Sequence, residues 1–172
     1  MPNHVHLIVC PQTADGLALA LGAAHRRWAN FVNARGRWRG HLFDGRYASV
    51  AMDEEHLMAA VRYVALNPVR ARLASRAEDW PWASTRAHLS GKDDGLAVVR
   101  PVLDRAPDFA ALIATDPDDP AFRALRAAET RGRPLGNREF VSGLERILGR
   151  PVARRAPGRK PAGMVHGQLD LL

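Results

Sequence analysis

Between residues 4 and 10 the apolar positions run almost unbroken, HVHLIVC, until Pro11 closes the run. The β-branched Val5, Ile8 and Val9, with Leu7, predict a strand. Side chains alternate along a strand, so Val5, Leu7 and Val9 are expected to face a core, with His4 and His6 together on the opposite face. From Thr13 the period changes. Leu17, Leu21, Ala24, Trp28, Phe31 and Val32 recur at helical spacing and predict a helix to about Ala34, capped by Thr13 or Asp15 and stopped by Gly36. That stripe assigns Trp28 to the core and leaves His25, Arg26, Arg27 and Arg35 on the other side.

Further along, glycines 36, 40 and 45 cut the chain into short pieces, and residues 47–52 predict a second strand. Asp53 is placed to cap a helix whose first turn holds Glu54 and Glu55, where they favour the dipole. Leu57, Met58, Val61 and Val64 form its apolar face, and Pro68 is expected to end it. WPWASTRAHL predicts a turn and short helix, with Trp80 and Trp82 anchoring the C-terminal segment to the core, and GKDDG predicts a loop. Residues 96–130 predict short helices separated by prolines 101, 107, 117 and 120. A clearer helix lies in GRPLGNREFVSGLERILGR, with Asn137 as cap and Phe140, Leu144, Ile147 and Leu148 as its stripe. Residues 150–172 are too rich in Pro, Arg and Gly to pack and are expected to be a disordered basic tail.

Composition narrows the classes. A 172-residue chain with 47% hydrophobic residues has enough apolar material for one core. No apolar run has the length of a membrane span, and no basic segment followed by a long apolar stretch marks a signal peptide. The single cysteine, Cys10, excludes an internal disulfide and a multi-cysteine zinc site, so a cytoplasmic setting is expected. The net charge of +7 points to a polyanionic partner. It is unevenly spread, with +4 over residues 1–90, −3 over 91–130 and +6 over 131–172.

Two imidazoles on one strand face can hold a divalent metal ion, and they are equally ordinary as polar residues on a solvated face. Tyr63 and Asn67 are four residues apart on the predicted helix and share a face. An asparagine carbonyl can complete a hard-metal site, and a tyrosine beside it is a candidate nucleophile. The plainer roles are a core tyrosine and a helix-stop asparagine. Arg26, Arg27, Arg35, Arg37 and Arg39 flank Trp28 and Trp38, a mixture suited to phosphates and unpaired bases, with Trp38 the better candidate for stacking. Arg70 and Arg72 lie close behind Tyr63 in the chain. His25, His41, His56 and His88 have no partner at ligand spacing.

MPNHVHLIV, GHLFDGRYASV, RYVALNPVRARL and WPWASTRAHL, in that order and spacing, resemble the REP-associated tyrosine transposases, a branch of the single-tyrosine HUH transposases. The likeness is close over residues 1–90 and looser over 131–150. It implies an α+β fold: a ferredoxin-like antiparallel sheet with helices, followed by a mainly helical C-terminal region. Divided accordingly, 1–75 is the catalytic domain, 76–149 the helical region and 150–172 the tail. Family members carry a strand and a helix ahead of the HUH strand, whereas this chain begins within a few residues of His4. The expected domain is therefore N-terminally incomplete, from a late start or decay. The resemblance makes His4 and His6 metal ligands, Asn67 the residue completing the site, and Tyr63 the nucleophile. It further implies Mg²⁺ or Mn²⁺, a single-stranded hairpin DNA substrate and a 5′-phosphotyrosine intermediate. The expected DNA contacts are Arg26, Arg27, Arg37, Trp38, Arg39, Arg70 and Arg72. Related enzymes occur as monomers and as homodimers. The competing expectation is a nucleic-acid-binding relative that does not cleave.

Overall fold

The structure is a computed structural model that describes residues 3–115, 119, 122–129 and 132–153. Its elements are helices: α1 (Gly16–Gly36), α2 (Glu54–Arg70), α3 (Thr85–Ser90), α4 (Arg100–Leu103), α5 (Phe109–Ile113), α6 (Phe122–Glu129) and α7 (Arg138–Leu148), with a 3-10 turn at Ala77–Asp79. The expected basic tail beyond residue 153 and the prolines at 117 and 120 lie outside the described residues.

α2 is the axis of the core. Along one side Ala60, Tyr63 and Leu66 pack with Ala77, Phe122 and Leu125; along the other, Val61 and Ala65 pack on Phe109. Alanines at 60, 65 and 77 keep the surfaces shallow, so the aromatic rings of α5 and α6 reach the helix, and Phe122 is fully buried. The helix starts where Asp53 caps it, with the His56 amide donating to Oδ1 at 3.0 Å. It does not stop at Pro68. The backbone continues to Arg70 with Pro68 buried inside, and the Leu73 amide uses the Pro68 carbonyl. The ring removes one i→i−4 bond and crowds the carbonyl four residues back, and the helix carries both in its last turn.

The α+β, ferredoxin-like expectation fails: no sheet forms among the described residues. Residues 4–10 form neither helix nor ladder, and Val5, expected in a core, is 75% exposed, with Leu7 and Val9 also exposed. Of the second expected strand only Met52 pairs, in one isolated parallel bridge to Leu135. Apolar alternation defines which way side chains point, while a sheet also needs a neighbour for every N–H and C=O. The helices supply that internally, and neither segment has a ladder here. What remains is a clip of two bonds, Asp53 N to Leu135 O at 3.0 Å and Leu135 N to Ala51 O at 2.8 Å. It ties the start of α2 to the segment leading into α7. Asp53 reinforces it by accepting the Asn137 amide on Oδ2 at 2.8 Å, next to the Asn137 cap of α7.

Three other expectations are corrected. No residue of α1 is buried, and Trp28 is 56% exposed, so the helical stripe is not a core face. Trp82 is exposed rather than an anchor, and on α7 Ile147 and Leu148 are exposed as well. No helix among the described residues is long and apolar enough to cross a membrane.

Candidate functional site

Periodicity puts Tyr63, Asn67 and Arg70 on one face of α2, since positions four and seven apart repeat on a 3.6-residue turn. On the side of Tyr63 lies the N-terminal segment. The His6 ring meets the Tyr63 ring edge-on, centroids 5.6 Å apart, and the His4 ring meets His6 in the same way at 4.9 Å. Phe122 of α6 closes a third edge, 5.5 Å from Tyr63. Over the ring face sits the Arg70 guanidinium, its carbon 3.9 Å from the centroid, a cation–π arrangement; an Nη1 also makes a long 3.5 Å contact to the Tyr63 carbonyl. The pair His4 and His6 and the pair Tyr63 and Arg70, far apart in sequence, therefore adjoin.

Burial differs sharply within this group. His4 is exposed, His6 and Arg70 are half-buried, and Tyr63 is 6% exposed within the core cluster. Asn67 is buried one turn along α2. A nucleophilic role for Tyr63 thus needs its surroundings to part.

The metal test is one of donor chemistry. Edge-on rings 4.9 Å apart make an ordinary aromatic contact, and joint ligation would require a nitrogen of each ring to converge on one ion at ~2.1 Å. His4 Nδ1 lies 2.8 Å from Asn3 Oδ1. In the tautomer that donates there, Nε2 is the unprotonated ring nitrogen, the atom through which a histidine oriented by an outer hydrogen bond ligates a metal. No group of three or more His, Cys, Asp or Glu that could hold a metal occurs among the described residues. The two imidazoles are the nitrogen donors that adjoin here, and an ion held by them would take its other ligands from oxygen.

The expected DNA contacts fall into two places. Arg70 belongs to the Tyr63 group, and Arg72 is exposed just beyond α2 with a left-handed backbone, φ 56°. Arg26 and Arg27 are exposed on α1; Arg37, Trp38 and Arg39 form the loop after it. That loop is built: Arg37 turns the chain at φ 52°, the Trp38 amide donates to the Asn33 carbonyl at 2.8 Å, and Asn33 Nδ2 donates to the Gly40 carbonyl at 3.0 Å. The Trp38 ring lies against Gly36 so closely that a Cβ there would come within 2.7 Å of it.

Sequence reasoning named Arg70 as a DNA contact without its place over the Tyr63 ring, and missed Phe122. Arg70 as the cover of the Tyr63 ring was within reach, because seven residues is two helical turns. Phe122 was not, since nothing in a local pattern relates it to Tyr63. No known protein family, no curated protein and no solved structure matches this chain.

Proposed function

We propose that the chain is a metal-dependent, single-stranded DNA-cleaving and strand-joining protein of the REP-associated tyrosine transposase kind, acting through Tyr63. The observation that carries the reading is the meeting of His6 and Tyr63, 5.6 Å apart between ring centres, from two motifs that the resemblance had linked. His4 and His6 would hold a divalent ion, Mg²⁺ or Mn²⁺, with Asn67 as an oxygen donor. When bound, the ion polarises a scissile phosphate. Tyr63 Oη attacks the phosphorus, the bond to the 3′ oxygen breaks, the phenolic proton is lost and the leaving oxygen takes up a proton. The product is a 5′-phosphotyrosine and a free 3′-OH, and no external energy source is needed for rejoining. Arg70 neutralises phosphate charge beside Tyr63, and Arg26, Arg27, Arg37, Trp38, Arg39 and Arg72 hold flanking strand. The substrate is hairpin DNA of palindromic repeats, met in the cytoplasm by a monomer or a homodimer.

A second reading, binding without cleavage, is favoured by the near-complete burial of Tyr63. One experiment separates the two. The full chain is mixed with hairpin DNA carrying a label 3′ of the expected cut and Mn²⁺, then run on a denaturing gel. Label migrating with protein, lost with chelator and in Tyr63→Phe, is the expected result. Absence of that band while the DNA is still bound refutes cleavage and leaves the binding reading.

A further inference from the structure

α1 and the loop behind it show side chains that a buried helix would hide. Trp28 and Phe31 are exposed and lie together, ring centres 5.5 Å apart and planes 27° from parallel. The Arg35 guanidinium carbon is 6.0 Å above the Phe31 ring. At about 100° per residue, Trp28, Phe31 and Arg35 fall within about 60° of one another, and Arg27 borders them about 40° further round. Beyond the helix, Trp38 is 64% exposed with one face seated on Gly36, held in a loop that hydrogen bonds fasten to Asn33.

Charge decides what this surface fits. From Gly16 to Phe43 the chain has five arginines, two histidines and no aspartate or glutamate. A second copy presenting the same face would be repelled. A helix that lies on a membrane separates its apolar side from its basic side. Here Arg27 and Arg35 stand among the aromatic rings, while Leu19, also exposed, points away from them. Flat rings interleaved with guanidinium groups match one ligand chemistry, unpaired bases joined by phosphates.

We infer that Trp28 and Phe31, with Arg27 and Arg35, form a stacking platform for unpaired bases of single-stranded DNA, with Trp38 as a further exposed stacking ring beyond the helix, separate from the Tyr63 group. The choice of DNA rests on the proposed function; the platform itself does not depend on cleavage. It extends the expected contact set to Trp28, Phe31 and Arg35.

The test is binding of a labelled deoxythymidine oligomer to the full chain, monitored by anisotropy and by quenching of tryptophan emission. Trp28→Ala and Trp38→Ala each weaken binding about tenfold, the scale of one lost base stack. Because Trp28 is exposed, its truncation leaves the helical circular dichroism unchanged. Gly36→Ala, which displaces the Trp38 indole without removing it, weakens binding too. Trp82→Ala, exposed outside the platform, binds as the parent does. Arg35→Gln lowers the slope of log affinity against log salt by about 0.7. Binding is read in the presence of chelator, so loss of cleavage and loss of the platform are read separately. The inference is overturned if Trp28→Ala and Trp38→Ala stay within about twofold of the parent, or if Trp82→Ala loses as much. Three further outcomes overturn it: preference for the ribo-oligomer or duplex, quenching of Trp28 by anionic vesicles alone, or a dimer mass that Trp28→Ala abolishes.

Discussion

Asp53 ties the starts of two helices, α2 and α7, with one carboxylate, and its removal is a sharp test of how the fold is held. Oδ1 accepts the His56 amide at 3.0 Å and faces His56 Nδ1 at 2.6 Å, while Oδ2 accepts the Asn137 amide at 2.8 Å. The His56 amide, then the His56 ring, then the Asn137 amide pull its carboxyl from an ordinary 3.8 down to about 2, against some opposition from desolvation. Loss of an N-cap costs about 1 kcal/mol. Taken in full, the depression corresponds to at most about 2.5 kcal/mol, which solvent screening at this rim lowers to about 1 kcal/mol. Asp53→Ala removes the cap and the α7 tether together, so we expect a loss of about 2 kcal/mol, a fall in Tm of about 4–8 °C. The sign with pH is fixed by the depressed carboxyl. Its contribution is complete above about pH 4 and disappears as pH falls towards 2. Asp53→Asn keeps the cap, since asparagine also accepts the His56 amide, but it has no charge to lose. Thermal unfolding by circular dichroism at pH 7 and across pH 4 to 2 reads both effects. A Tm for Asp53→Ala within about 1 °C of the parent, or an acid loss in Asp53→Asn as steep as the parent's, would refute the reasoning.

Two further expectations concern the core beside Tyr63. Phe122→Ala removes a fully buried ring between α6 and α2 and should cost about 3–5 kcal/mol, seen as a lower urea midpoint; a shift worth under about 1 kcal/mol would mean the ring is not packed as described. Arg70→Ala uncovers the Tyr63 ring and should cost about 1 kcal/mol, with a change in the near-ultraviolet tyrosine signal that Arg70→Lys partly restores. An unaltered signal in Arg70→Ala would contradict that contact.

Local chemistry was readable where one residue acts on the next few. Asp53 and Asn137 cap the helices their positions predict, and Gly36 ends α1 with Arg37 turning left-handed behind it. Pro68 shows the limit even there, because a proline marks a boundary only when the preceding turn cannot spare one bond. What could not be read was which surface meets which. Leu17, Trp28 and Phe31 share a helical stripe whether or not anything covers it, and nothing buries them. The alternation in HVHLIVC describes a strand's two faces but no neighbour, so the sheet expected from it did not form. Of the candidate site, the Tyr63–Asn67–Arg70 face was legible as helical spacing. The approach of His6 to Tyr63 was linked only through the family resemblance, since no local pattern connects the two.

The absence of any buried side chain along twenty-one residues of α1 sets when its backbone opens. Amide protons in such a helix exchange with solvent through a local opening that leaves the packing of α2, α5 and α6 intact, so α1 behaves as a unit of its own in hydrogen exchange. Its order is cheap to lose and therefore cheap to regain on a ligand. A strand of DNA lying across Trp28 and Phe31 would slow those amides towards the rate of the core, turning part of the binding energy into helix rather than affinity.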